Sequence, residues 1–343
     1  MINLLDLELN KMEDFFAGMG QPKFRAKQVF GWIYKGVTDF NGMTNLPSPL
    51  RHRLDEEAVI GLPEILRVQQ SKLDGTRKYL FGLKDGNAIE SVFMKYKFGN
   101  SICVSSQVGC RMGCKFCAST LGGLLRNLTP GEIAGQILAA EKDTGERISH
   151  VVVMGTGEPF DNYDNVASFI RIINDKNGFN IGMRNITVST CGVVPMISRF
   201  GDDFPQVNLA ISLHATNNEA RSSMMPVNKA YPMEQLISAC KEYGKETSRR
   251  VTFEYTLVKG VNDSPQEAEA LAKLLRGMIC HVNLIPLNVV KETGFETSSR
   301  ASALEFQKVL EAKGVPATIR RELGDDIDAA CGQLRLKSRS NAL

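Results

Sequence analysis

The 343-residue chain contains no apolar run approaching the roughly 20 residues that cross a bilayer. Its start, Met1-Ile-Asn-Leu-Leu-Asp-Leu-Glu8, lacks the basic region and apolar stretch of a secretion signal, so a cytoplasmic protein with no membrane partner is expected. Eight cysteines are too few in a chain of this length for a disulfide scaffold. Neither sign of charge is in excess: 41 Lys and Arg against 38 Asp and Glu leave a net +3, which neither requires nor excludes a nucleic-acid partner. Low-complexity segments are absent too, and the only repetition is a loose alternation of strand and helix patterns. With 43% hydrophobic residues the chain is an ordinary globular protein, large enough for a main domain and a smaller accessory one.

What is present is concentrated in one run, Cys110-Arg-Met-Gly-Cys114-Lys-Phe-Cys117. A cubane 4Fe-4S cluster is fully ligated by four cysteines, so three of them leave one iron without a protein ligand. An open iron at a reducing cluster is where S-adenosylmethionine can chelate through its amino and carboxylate groups and be split to a 5′-deoxyadenosyl radical. The alternative is a structural zinc site, which wants four closed ligands in paired knuckles. No second knuckle follows, since His150 and Cys191 lie far downstream without matching spacing.

Four segments are expected: a helical head over 1–60, a β-rich linker over 61–95, a main domain over 96–330 and a C-terminal segment over 331–343. In the head, apolar residues recur at helical spacing over Leu4 to Met19 and Phe24 to Tyr34. The second helix sets Lys23, Arg25 and Lys27 beside Phe24, Phe30 and Trp32. This is either an RNA-facing basic side with aromatics packed inward or a solvated amphipathic face. In the linker, Glu90 sits among apolar residues of a strand pattern, and position alone favours an outward side chain. Strand patterns then alternate with helix openings at Thr129, Asn162, Val194, Pro232, Ser264 and Ser298. Thr129-x-x-Glu132 reads as a capping box, and Ser264-Pro265-x-Glu267 repeats its logic. This is an α/β fold with a parallel sheet, either open or closed into a complete or partial barrel, with its chemistry at the C-terminal strand ends.

Those ends carry suitable groups. The second strand runs into Met154-Gly-Thr-Gly157-Glu158-Pro159, where glycine allows close backbone approach and Glu158 can accept from an ammonium. Later strands end at Ser189, at Ser212-Leu213-His214 and at Asn288, hydroxyl, imidazole and amide groups suited to ribose, adenine and carboxylate. Each taken singly is also an ordinary turn or capping residue. Cys191, Cys240 and Cys280 read as small buried hydrophobes. Cys331, in the glycine-flanked run Gly324-Asp-Asp-Ile-Asp-Ala-Ala-Cys331-Gly-Gln-Leu, fits that reading poorly.

The runs Ile102-Cys-Val-Ser-Ser-Gln-Val-Gly-Cys110, Cys114-x2-Cys117-Ala-Ser, Met154-Gly-Thr-Gly-Glu-Pro, Ile211-Ser-Leu-His-Ala, Met225-Pro-Val-Asn and that C-terminal segment resemble the RlmN/Cfr radical S-adenosylmethionine RNA methyltransferases, RlmN more than Cfr. The resemblance implies a partial (βα)6 TIM-like radical SAM barrel with an RNA-binding head. It implies a single 4Fe-4S cluster on Cys110, Cys114 and Cys117, and S-adenosylmethionine bound at Gly157, Glu158, Ser189, Ser212, Leu213, His214 and Asn288. The implied substrates are an adenosine of 23S ribosomal RNA at the peptidyl transferase centre and the adenosine 3′ of the anticodon in some tRNAs, each methylated at C2. Cys331 would take a methyl from a first S-adenosylmethionine, and a second would yield the radical that activates it for addition to C2. Glu90 would then remove the C2 proton, which reverses the outward reading of its side chain. Cys103 would attack Cys331, forming a disulfide and releasing the product. A flavodoxin or ferredoxin is the implied electron donor, and a monomer is expected. Cys191 departs from the serine or other small residue of relatives. RNA contact would rest on local basic residues such as Lys95, Lys97, Arg320, Arg321, Arg335, Lys337 and Arg339. The alternatives are a Cfr-like C8 methyltransferase and, in another class, a non-catalytic metal-stabilised RNA-binding protein.

Overall fold

The computed structural model describes the chain except residues 289, 291, 322, 330, 331, 335, 336 and 339–343. In the head, Leu9–Gly18 (α1), Phe24–Ile33 (α2) and Ser48–Glu57 (α3) bury Met12 and Phe16, Val29 and Phe30, and Leu50 and Leu54 in one core, as amphipathic helices must. The first helix is shorter than its apolar pattern. Asn3 caps a separate 3-10 turn at Leu4–Asp6 by accepting from Leu5 N, and Ile2–Asn3 (β1) pairs in parallel with Ala58–Val59 (β2). The basic side of α2 is largely engaged: Lys23 and Lys27 lie 3.7 and 3.9 Å from Glu13. Phe30 packs inward as expected, but Phe24 is 51% exposed, with the Arg25 guanidinium over its ring.

Glu64–Gln70 (β3), Arg77–Gly82 (β4) and Asn87–Tyr96 (β5) run antiparallel into Gly99–Val104 (β6). Gln107–Gly109 (β7) and Leu124–Asn127 (β8) make a small hairpin. Ile148–Val153 (β9), Ile186–Thr190 (β10), Asn208–Ser212 (β11), Val251–Leu257 (β12), Cys280–Pro286 (β13) and Ala317–Ile319 (β14) join β6 in a parallel run. The sheet order is β14-β13-β12-β11-β10-β9-β6-β5-β4-β3, open at both edges. The β-rich linker therefore continues the main sheet through ladder bonds such as Val92 to Cys103. Lys337–Ser338 (β15) pairs with the start of β5.

The crossovers are Pro130–Thr144 (α4), Tyr163–Asn174 (α5), Val194–Asp203 (α6), Asn218–Met224 (α7) with Met233–Thr247 (α8), and then Pro265–Leu274 (α9) and Arg300–Ala312 (α10). The Thr129–Glu132 capping box forms in full. At α9 only half of it does: Ser264 accepts from Glu267 N at 3.2 Å, while the Glu267 carboxylate takes the Thr216 hydroxyl instead. A tertiary hydrogen bond has displaced the local one. No helix among the described residues is long and apolar enough to cross a membrane.

Candidate active site

Val108 and Gly109 of β7 lead directly into the cysteine loop, and the hairpin fixes its entry. Cys110 N donates to Gly123 O at 2.9 Å. Gly109 has φ +78°, and a Cβ there would sit 1.9 Å from Gly123 O, so only glycine fits. The loop is closed by Cys117 N to Cys114 O at 3.2 Å and by the Thr120 hydroxyl on the carbonyls of Cys114 and Cys117. Lys115 N donates to Met224 O, at the end of α7.

Facing this loop is a cleft of about 980 Å³, measured out to its open mouth, at the C-terminal ends of the parallel strands. Cys110, Cys114 and Cys117 line it together with Gly157, Glu158, Ser189, Ser212, His214 and Asn288. Leu213 is not brought in: its side chain lies in the hydrophobic core, and its N–H and C=O are taken by Glu254 O and Arg221. Cys191, Glu254, Thr256 and Arg320 also line the cleft. Glu254 is 5% exposed and accepts from Asn283 at 2.8 Å, and burial raises its carboxyl above the usual range. No motif marked it, since a glutamate inside a strand run looks like an outward residue.

The glycines after β9 are required by the chain itself. A Cβ on Gly157 would meet Gln107 Cβ at 2.7 Å and Gln107 N at 2.8 Å, and one on Gly155 would meet Val104 O at 2.7 Å. Close backbone approach was the right physics, but the approaching backbone is the connection after β6. Glu158 is buried, and its two oxygens accept from Phe160 N at 3.0 Å and Cys191 N at 2.7 Å. Burial pushes its carboxyl up, and those amides and the Thr190 hydroxyl oppose the shift.

His214 has φ +57° and accepts from Thr256 N through Nδ1 at 2.9 Å. Burial, with Arg221 nearby, pushes its pKa down to about 3. The ring is therefore neutral with its proton on Nε2, and it packs edge-on against Phe116 of the cysteine loop at 5.0 Å. Arg221 of α7 was not singled out in the sequence. It is fully buried and donates to Cys191 O at 2.6 Å, Ser212 O at 3.1 Å, Leu213 O at 3.2 Å and Asn228 Oδ1 at 3.1 Å. One guanidinium thus satisfies the carbonyls at two adjacent strand ends. Cys191 is buried in a small apolar cluster beside the cleft, with its N–H and C=O held by Glu158 and Arg221, and Cys240 and Cys280 are buried in the main core.

Burial pushes the Cys110 thiol up to about 12, and Cys114 is raised by burial and by its neighbouring thiols. Such thiols keep their protons until a cation displaces them. A cubane takes each cysteine on a separate iron, so three soft donors ringing one void fit it.

A second group of expected residues lies beside the cleft. Glu90 of β5 is 2% exposed, so its carboxylate is buried rather than turned to water. Cys103 of β6 stands opposite Val92, and since Val92 and Glu90 are two apart on β5, all three share one face of the sheet. That face is covered by the chain end: Leu323, Ile327, Ala329 and Leu334 pack on Val92, Met94 and Cys103. The cover is tied at Gly324 N to Asp74, at Lys72 N to Asp326, at Ala118 N to Gly332 O and at Ser119 to Leu334 O. Gly332 reaches the cleft. Cys331 lies outside the described residues, as do Arg335 and Arg339 and the side chain of Lys337. No disulfide joins described residues. Ser105 links the two regions, donating to Glu90 O at 2.7 Å and accepting from Thr156 N at 2.9 Å.

The proposed basic surface is scattered. Lys97 and Lys95, the latter paired with Glu146, flank the turn before β6, at the opposite end of the sheet from the cleft. Arg320 faces the cleft, and Arg321 is exposed.

Residues 2–60 match the family model described as the ribosomal RNA large subunit methyltransferase N-terminal domain, and residues 104–275 match the radical SAM superfamily. The chain is 54% identical over 336 residues to a probable dual-specificity RNA methyltransferase RlmN of Clostridium novyi (strain NT), covering 98% of both chains. It is likewise 54% identical over 338 residues to the protein of that name from Caldanaerobacter subterraneus subsp. tengcongensis, again covering 98% of both. The crystal structure of a radical SAM methyltransferase from Sphaerobacter thermophilus is similar with a TM-score of 0.93 and 47% identity, over 98% of this chain and 99% of that one.

Proposed function

The chain belongs to the RlmN family of radical SAM RNA methyltransferases, and from that premise we propose that it methylates C2 of an adenosine in 23S ribosomal RNA and of the adenosine 3′ of the anticodon in some tRNAs. The observation that carries this reading is the covered face next to the cleft. A radical SAM enzyme needs the cleft; a methyl-carrying cysteine chemistry needs in addition a buried carboxylate and a second thiol beside the chain end that carries the cysteine. Glu90 and Cys103 lie there with Ala329 and Gly332, the described neighbours of Cys331, packed on Cys103 and lining the cleft respectively.

Cys110, Cys114 and Cys117 would hold the 4Fe-4S cluster, which, with S-adenosylmethionine and an electron donor such as a flavodoxin or ferredoxin, would supply hydrogen-atom abstraction from a methyl group. Gly157, Glu158, Ser189, Ser212, His214 and Asn288 orient the ligand. His214 does so as a neutral Nε2–H donor, and Glu158 through a carboxylate held by two backbone amides. Cys331 carries the methyl group as S-methylcysteine, and the methyl carbon, after losing one hydrogen atom, forms the bond to the electron-poor C2 carbon. Glu90 takes the C2 proton as the adduct gives up its unpaired electron. The Cys103 thiolate then attacks the Cys331 sulfur, forming a disulfide as the carbon–sulfur bond breaks and the released carbon takes a proton to complete the methyl group.

Nucleoside mass spectrometry of RNA treated with the cluster-loaded, reduced enzyme tests this. The expected product is 2-methyladenosine; 8-methyladenosine alone overturns the C2 assignment. Zinc in place of iron, with no deoxyadenosine formed, overturns catalysis altogether. Cys103→Ala is expected to accumulate a protein–RNA adduct through Cys331.

A further inference from the structure

The face that carries Glu90 also holds a charged group that no motif marked. Lys78 of β4 stands directly opposite Val92 of β5 and diagonally from Glu90, and Val92 stands opposite Cys103. Lys78, Glu90 and Cys103 are therefore on one side of three adjacent strands. Lys78 Nζ is 3.9 Å from Glu90 Oε1, with the two side chains 6% and 3% exposed. The same ammonium donates to Asp328 O at 2.9 Å. Asp328 closes the turn Asp325–Ile327 with φ +49° and lies three residues before Cys331. One buried cation thus touches both the carboxylate and the last turn of the cover.

We propose that Lys78 is the positioning residue of this face: it keeps Glu90 in the carboxylate form and fastens the cover turn above it. The inference rests on the reading of Glu90 as the base. A carboxylate isolated from water protonates, and a protonated Glu90 cannot take a proton from C2. A residue serving packing alone would be apolar here, like its neighbours Leu80, Val92 and Met94, since a buried ion pair is a poor source of stability. At 3.9 Å the two opposite charges attract across a short, buried gap. Among the described residues, the other titratable groups of this face are Arg67 on β3, opposite Leu80, Tyr96 on β5, Cys103 on β6 and, on the cover turn, Asp325, Asp326 and Asp328, which are exposed like Arg67.

The test compares Lys78→Met, Lys78→Gln, Lys78→Arg and Glu90→Gln in the cluster-loaded full chain. Single-turnover adduct and released methyladenosine are followed between about pH 6 and about pH 9. Lys78→Met is expected to form the adduct but release product roughly 100-fold more slowly at neutral pH, with the release limb moved up by more than about one unit. Lys78→Arg restores release. Lys78→Gln can still donate to Asp328 O but lacks charge, and is expected to behave like the Met variant, which covers the case in which Met does not fold. In both neutral variants, infrared difference spectra should show a protonated carboxyl band that disappears on adding Glu90→Gln. Wild-type release and pH limb in the neutral variants, with Glu90→Gln still trapping adduct, overturn the role of Lys78 and leave the base standing. Normal release by Glu90→Gln overturns the base itself.

Discussion

The cleft and the covered face sit side by side but are built by different means. In the cleft several polar groups are locked at their own strand end or the next: Glu158 by Phe160 N and Cys191 N, His214 by Thr256 N, and the carbonyls of Cys191, Ser212 and Leu213 by the Arg221 guanidinium. The covered face gathers Lys78, Glu90 and Cys103 from three strands. It closes them under a segment more than two hundred residues away, held by a few apolar contacts and single hydrogen bonds. A site that must bind the same cofactor at every turnover is preorganised. One that must admit a base and then let a thiol reach a sulfur needs a cover with little local stability.

If that contrast holds, the two regions fail separately. Arg221→Met should have the largest effect, leaving three strand-end carbonyls and the Asn228 amide oxygen without their donor at roughly 3 kcal/mol or more. Thermal unfolding and S-adenosylmethionine binding should both suffer, while wild-type values in both would mean that the cleft is not held by its strand ends. Gly109→Ala comes next, at about 2 kcal/mol of backbone strain, with its main loss in iron and sulfide content because the clash with Gly123 displaces the start of the cysteine loop. Full iron loading would contradict the hairpin's role.

Leu334→Ala probes the other region. It should open the cover by about 2 kcal/mol and speed hydrogen exchange at β5 amides near Glu90 by roughly 30-fold, leaving β10 and β11 unchanged. Uniform acceleration would erase the contrast. Per unit of pH, the smallest effect concerns His214. Its folded pKa of about 3 lies below the ordinary 6.5, so as pH falls through the ordinary value the unfolded chain takes up a proton that the folded one refuses. Stability then declines by at most about 1.4 kcal/mol per unit until the folded value is reached. His214→Asn, which keeps an acceptor and tolerates positive φ, should match the wild type at alkaline pH and flatten this acid limb in denaturant melts.

Much of the cleft was legible because its residues follow strands whose apolar runs are visible, and the cysteine spacing is a local property. Leu213 differs from Ser212 and His214 because adjacent residues at a strand end point to opposite sides, and its side chain lies in the core while theirs line the cleft. Arg221 escaped notice because α7 is a short helix with little apolar periodicity, and the carbonyls that the residue serves belong to other segments. Glu267 shows the same limit at smaller scale, its capping bond lost to Thr216. Glu90 was placed outward by alternation alone because nothing local reveals that both faces of β5 are covered.

The amino-acid sequence by itself determined the three-thiol loop, the alternation that builds a parallel sheet and the set of groups standing at its strand ends, since each depends on neighbours within a few residues. Tertiary structure alone decided which side of the sheet Lys78, Glu90 and Cys103 share and what lies over them. That depends on the register between strands and on where a distant chain end comes to rest, and long-range pairing and packing settle both.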